Sequence, residues 1–142
     1  MTGVIVVGVD SSESAKRAAG TAREMAIALG TSLHVVTAFE NNRQDIVGSG
    51  TDLLVISSED AAKKVAHDLA MELSSPQLQV AYFAVPGSPA QALIKQAEQY
   101  GAQMIVVGNK RMRGLGRVLG SVANSVAHNA PCNVFIAKTD DE

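Results

Sequence analysis

Apolar residues along this chain follow two alternating rhythms. Val4–Val9 (VIVVGV) is a short continuous β-branched run, the pattern of a strand buried on both faces of a parallel sheet. After Asp10 the period changes. Ala15, Ala18, Ala19, Ala22, Met25, Ala26 and Leu29 recur at spacings of three and four, which draws one stripe along a helix. Ser11 or Ser12 is placed to cap its start and Gly30 to end it. Leu33–Phe39 reads as a second strand, followed by a long connection over 40–57. Ser58 to about Ser74 reads as a second amphipathic helix, with Ala61, Ala62, Val65, Leu69, Ala70 and Leu73 inward. Leu78–Val85 is the third expected strand. Ser88-Pro89 opens a third helix with a cap and a proline at the first helical position, and Gly101 ends it. Leu93, Ile94 and Ala97 are its inward residues. Met104–Val107 is a fourth strand. A fourth helix runs from about Arg117 or Gly120 to Asn129, where Pro131 stops it, and Val134–Ala137 is a fifth strand.

The order is therefore β-α-β-α-β-α-β-α-β. Continuous apolar strands alternating with amphipathic helices predict an α/β fold: a parallel sheet covered by helices on both faces, in a single domain over 1–142. Ligands of open α/β sheets bind beyond the carboxyl ends of the strands, where strand order reverses. Strands one and four are the expected pair at that point, and their ends carry Asp10 and Gly108.

Composition narrows the function classes. The chain has 142 residues, 46% hydrophobic and 18% charged, with a net charge of −2. A general nucleic-acid binder is usually basic, so that class is disfavoured. The cations gather locally at Lys110, Arg111, Arg113 and Arg117, which suits a small anion better than a polyanion. No apolar stretch reaches the roughly 18 to 20 residues of a membrane span. The start lacks the features of a secretory signal, and Cys132 is the single cysteine. The expectation is a cytoplasmic protein with no membrane and no nucleic-acid partner.

The candidate chemistry lies in VVGNKRMRGLGRVLGSVANSV, residues 106–126. Glycines after a strand permit left-handed backbone and close approach to a ligand. Gly120-Ser121 opens a helix of small residues, and a helix N-terminus offers unpaired N–H groups to phosphate. Lys110, Arg111 and Arg113 are placed to screen the remaining charge. The duller alternative is a solvated turn in which Ser121 is an ordinary cap. Asp10 either accepts a ribose hydroxyl or simply forms the turn into the first helix. The spacing is that of neither a P-loop nor a dinucleotide fingerprint. His34, His67 and His128 have no metal-ligand spacing, and Cys132 reads as a core residue; no catalytic residue and no metal site are expected.

Three segments together resemble the universal stress protein family: VIVVGVDSSESAKRAAGTA, VPGSPAQALIKQAEQYGAQMIVVGNK and GRVLGSVANSVAHNAPCNVFIAK. The resemblance covers essentially the whole chain. It implies a three-layer, open, five-stranded parallel sheet of order 3-2-1-4-5, the adenine-nucleotide-binding-like (Rossmann-like) fold. It also implies a homodimer formed by pairing fifth strands, here Val134, Phe135, Ile136, Ala137 and Lys138. ATP-binding members carry Gly-x2-Gly-x9-Gly-Ser/Thr. Gly108 matches the first glycine and Gly120-Ser121 the closing pair, but Arg111 stands at the second glycine. Eleven residues separate Gly108 from Gly120 where the motif has twelve. The resemblance further places ribose and adenine at Val9 and Asp10, an adenine contact at Ala38 and phosphate contacts at Val122 and Ala123. The function it implies is binding of ATP, with AMP or cyclic AMP as alternatives and Mg²⁺ accompanying ATP. Its role would lie in stress response or regulation, with ATP hydrolysis slow at most. The competing reading, motivated by Arg111 and the shortened loop, is a dimeric stress protein that binds no nucleotide and acts through partners.

Overall fold

A computed structural model describes residues 3–40, 58–109 and 120–139. The elements in chain order are β1 (Val4–Gly8), α1 (Glu13–Leu29), β2 (Ser32–Phe39), α2 (Ser58–Leu73), β3 (Val80–Pro86), α3 (Pro89–Tyr100), β4 (Met104–Gly108), α4 (Ser121–Asn129) and β5 (Asn133–Ala137). The five strands form one parallel sheet of order β3-β2-β1-β4-β5. Strand order thus reverses between β1 and β4, as the family resemblance implies. Residues 41–57 of the long connection, the cations Lys110, Arg111, Arg113 and Arg117, and Gly114 and Gly116 lie outside the described residues.

Local chemistry explains where the helices begin and end. Ser12, with extended backbone, accepts the Ala15 N–H on its hydroxyl and caps α1; Gly30, at φ 70°, closes it in the left-handed region. At α3, Ser88 accepts the Gln91 N–H while Gln91 Oε1 accepts the Ser88 N–H. This reciprocal box sits before Pro89, and Gly101 at φ 61° ends the helix. Glu59 and Asp60 occupy the first turn of α2, where acids favour the helix dipole.

Some details differ from the sequence expectation. The third strand begins at Val80, not Leu78. Ser75–Leu78 instead closes a tight turn in which Leu78 N–H donates to the Ser75 carbonyl at 3.0 Å, with Pro76 at the position a turn favours. Leu29, counted in the inward stripe, is 52% exposed at the last turn of α1.

Side chains alternate across the sheet and build two cores. On one face Ile5, Val7, Leu33 and Val35 meet α1 and α2. There α1 presents Ala18, Ala19, Ala22 and Ala26, all fully buried, so helix and sheet backbones approach closely. On the other face Val6, Val36, Ile105 and Val107 meet α3 and α4 through Leu93, Ala97, Ala123 and Val126. Buried Gln96 interrupts that apolar stripe. Its Nε2 donates to His34 Nδ1 at 3.1 Å, and the Phe83 and Tyr100 rings flank the imidazole. Ile94, expected inward, is only half buried, because α3 turns Gln96 inward to reach His34.

Candidate functional site

The carboxyl ends of β1, β2 and β4 open into a cavity of about 280 Å³. Main-chain direction gives its first feature. Along β2, Ser32 N–H donates to Gly3 on the β1 side and Leu33 N–H to Gln79 on the β3 side. The alternation continues to Val36, whose carbonyl accepts the Val9 N–H, and to Phe39, whose carbonyl accepts the Gly87 N–H. The β1–β2 register ends at Gly8 opposite Val36. The next residue of β2 facing that way is Ala38. Its N–H and C=O are directed to the space that β1 leaves as the chain turns at Asp10, and Ala38 lines the cavity.

The second feature is the start of α4. Gly120 occupies the N-cap at φ −63° and makes no side-chain capping bond. The first i to i−4 bond of the helix runs from Asn124 N–H to the Gly120 carbonyl. The N–H groups of Ser121, Val122 and Ala123 therefore precede the helical ladder, and all three residues line the cavity. The duller alternative made Ser121 an ordinary cap; it is instead the first helical residue, because Gly120 takes the cap position. By contrast, the N-terminus of α1 is satisfied from within by Ser12.

Asp10 stands between these features. Its Oδ1 accepts the Ser12 N–H at 2.8 Å, so it does form the turn into α1, and it also lines the cavity. Val9, Val36, Leu93 and Val107 supply apolar wall, with Pro89 at the rim. An apolar slot with a main-chain donor and acceptor at one end and unpaired helix N–H groups at the other suits a flat heterocycle carrying an anion.

The glycines act differently from the sequence expectation. The left-handed glycines among the described residues are Gly30, Gly87 and Gly101. Neither Gly108 nor Gly120 is in that region. Gly108 is small for a packing reason: a Cβ there would lie 3.2 Å from Thr139 Cγ2 and 3.3 Å from its Oγ1. Gly8 is tighter, since an added Cβ would lie 2.9 Å from Leu93 Cδ1.

This geometry sits at the switch point of a nucleotide-binding type of sheet, and the sequence model of one family matches residues 1–138. The chain belongs to the universal stress protein family. A Thermus aquaticus member of the family is 31% identical over 135 residues, covering 94% of this chain and 97% of that protein. A Synechocystis universal stress protein is 43% identical over 56 residues; the match spans 39% of this chain and about half, 52%, of the relative. Among solved structures, a universal stress protein in complex with cAMP superposes with a TM-score of 0.72 at 28% identity, covering 98% of both chains.

For this family member, the predicted positions Val9, Asp10, Ala38, Gly108, Gly120, Ser121, Val122 and Ala123 converge on one cavity. Lys110 and Arg111 lie outside the described residues. Sequence reasoning missed Gly8, Ser14, Thr37, Pro89 and Leu93. Ser14 follows directly on the Asp10 turn, and Thr37 adjoins Ala38, so adjacency was an available signal for those two. Leu93 carried no signal beyond its place in an apolar stripe. None of the three histidines lines the cavity, nor does Cys132. Burial raises the Cys132 thiol pKa, which keeps it protonated and inert. Among the described residues no group of three His, Cys, Asp or Glu side chains is placed to hold a metal ion. No helix among them is long and apolar enough to cross a membrane.

Proposed function

We propose that this chain binds an adenine nucleotide at the carboxyl ends of β1 and β4. ATP is the favoured ligand, with AMP and cyclic AMP as alternatives, and the role is stress response or regulation rather than efficient catalysis. The observation that carries the proposal is the pairing of Ala38 main-chain groups at one end of the cavity with the uncapped N-terminus of α4 at the other. Adenine presents an amino donor beside a ring-nitrogen acceptor, which complements a neighbouring C=O and N–H. Asp10 then accepts a ribose hydroxyl, and the N–H groups of Ser121, Val122 and Ala123 take a phosphate. Gly108 forms the floor between them. Lys110 and Arg111 join the reading on sequence alone, as cations next in the chain after that floor. Asp10 is the only carboxylate along the described wall, so Mg²⁺ accompanying ATP would be held mainly by phosphates and water. Among the described lining residues Asp10 is the one titratable side chain, and it accepts the Ser12 N–H in the turn into α1, which fits slow hydrolysis at most. The similar protein in complex with cAMP supports a ligand of this class.

Calorimetric titration with ATP, AMP and cyclic AMP, with and without Mg²⁺, tests the proposal. Saturable binding in the micromolar range is expected. Flat heats from folded protein overturn it, and leave the partner-binding reading that Arg111 and the short loop motivate. Nucleotide released on denaturing freshly purified protein would count against that second reading.

The same proposal takes β5 as a homodimer edge. It is an outer strand, with Phe135 39% exposed and Val134 and Ile136 half buried. Pairing two copies along Val134–Lys138 would cover an edge that otherwise invites aggregation.

A further inference from the structure

Thr139 lies just beyond the last strand, β5. Here it is 2% exposed, and each of its polar groups is engaged. Its N–H donates to Asn109 Oδ1 at 2.7 Å and its hydroxyl donates to the same oxygen at 3.0 Å. Its carbonyl accepts from Arg17 Nη1 at 2.7 Å, a bond to α1 across the sheet edge. Asn109 is itself buried, at 4% exposure. The Thr139 side chain fills the space a Cβ would need on Gly108. Thr139 therefore packs directly behind one wall of the cavity. It ties that wall to α1, whose first turn also lines the cavity through Ser14 and Ala15.

We propose that Asn109, Thr139 and Arg17 form a latch that positions the phosphate end of the nucleotide site. The inference rests on the nucleotide reading above. It follows from how the latch is placed relative to the two ends of the cavity. The sheet order sets Ala38 on β2 and Gly108 on β4, with β1 between them. The Asn109–Thr139 pair packs behind Gly108 on β4, and Arg17 joins it to α1. Asn109 is also the residue from which the sequence runs into Lys110 and Arg111. With the latch closed, Gly108 cannot move without stranding Asn109 Oδ1 or the Thr139 N–H in a buried place, which is costly. With it open, the floor beside Gly120 and Ser121 loosens while the main chain at Ala38 stays fixed in the sheet. None of the three residues need touch the ligand; they act through Gly108.

Paired titrations with adenosine and AMP read this directly, because only AMP uses the phosphate end. In wild type both ligands bind, AMP more tightly. Asn109→Ala removes both bonds and is expected to weaken AMP about tenfold while leaving adenosine within about twofold. Thr139→Val keeps the shape and the main-chain bonds, removes only the hydroxyl, and is expected to weaken AMP about threefold. Thr139→Ser retains the hydroxyl and should bind both ligands within about twofold of wild type. Thermal melts of each ligand-free variant confirm folding. If wild type binds neither ligand, the nucleotide reading falls and the latch loses its role with it. If wild type binds both but the variants leave AMP unchanged, or weaken AMP and adenosine equally, the latch is structural only and this inference is overturned.

Discussion

Replacing Thr37 by valine should stabilise the protein, against the usual direction of core substitutions. Thr37 lies on β2 and is 7% exposed, and its Oγ1 has no hydrogen-bond partner among the described residues. Burying a hydroxyl without a partner costs about 1–3 kcal/mol by mutational measures. Valine keeps the β-branched shape that suits a strand and replaces that oxygen by a methyl group that gains from burial. The expected change is therefore a gain of about 1–3 kcal/mol. With an unfolding slope of about 2 kcal/mol/M, a gain in the middle of that range moves the urea midpoint up by about 1 M. The thermal midpoint should rise by about 3–5 °C per kcal/mol for a domain of this length. Equilibrium urea unfolding of ligand-free protein, followed by circular dichroism, is the assay, and the slope should stay unchanged. Thr31 supplies an internal control. Its Oγ1 is also buried and unpartnered, at the opposite end of β2, so Thr31→Val should shift stability in the same direction. A Thr37→Val midpoint at or below wild type, at equal slope, would refute the reasoning and mean that the hydroxyl is satisfied in solution.

Two further perturbations probe the other face of the sheet. Burial lowers the pKa of His34 from its ordinary 6.5. The unfolded chain therefore takes up this proton first, so the contribution of neutral His34 is fully present above pH 6.5 and is lost as pH falls below it. Urea midpoints measured from pH 7.5 to 5.5 should fall for wild type and fall less for His34→Asn, which can still accept from Gln96; parallel profiles would exclude this histidine as the source. Gly8→Ala sets a Cβ against Leu93, which is 2% exposed, and should cost about 1–3 kcal/mol by overpacking. Adding Leu93→Val to Gly8→Ala should recover part of that loss in thermal melts, and a double variant no more stable than Gly8→Ala would contradict the assigned clash.

Most of the fold could be read from the sequence because its signals are local. Each strand of the inner sheet is a short apolar run, and caps mark both ends of α1 and α3: Ser12 and Gly30 for α1, Ser88 and Gly101 for α3. The start of β3 was misplaced because Leu78 is as buried as a strand residue, at 4%, while its main chain serves a turn. Strand order itself does not follow from periodicity; it came from the family resemblance. The cavity was legible where its lining groups are consecutive in sequence, as at Val9-Asp10 and Gly120–Ala123. It was not legible where groups meet across the fold. Nothing near Thr139 in sequence points to Asn109, thirty positions away, and nothing near Gln96 points to His34.

The glycines show why a motif can be recognised correctly for the wrong physical reason. Gly8 and Gly108 end the two strands that meet at the switch point, and both line the cavity. A ligand-based account would give each the task of admitting a nucleotide close to the main chain. Their surroundings give a different cause. Leu93 from α3 occupies the missing Cβ space of Gly8 on one face, and Thr139 from the chain end occupies that of Gly108 on the other. Each glycine thus lets a side chain from behind support the cavity floor, and the floor keeps its shape before any ligand arrives. Pre-formed floors of this kind reduce the ordering cost of binding. On the nucleotide reading, they would also place part of the affinity in residues that no ligand contact reveals. Arg111 stands in the sequence where the family motif has its second glycine, whereas the side chains that occupy the Cβ space of Gly8 and Gly108 are Leu93 and Thr139. On the nucleotide reading proposed above, replacing Arg111 should change AMP affinity more than adenosine affinity.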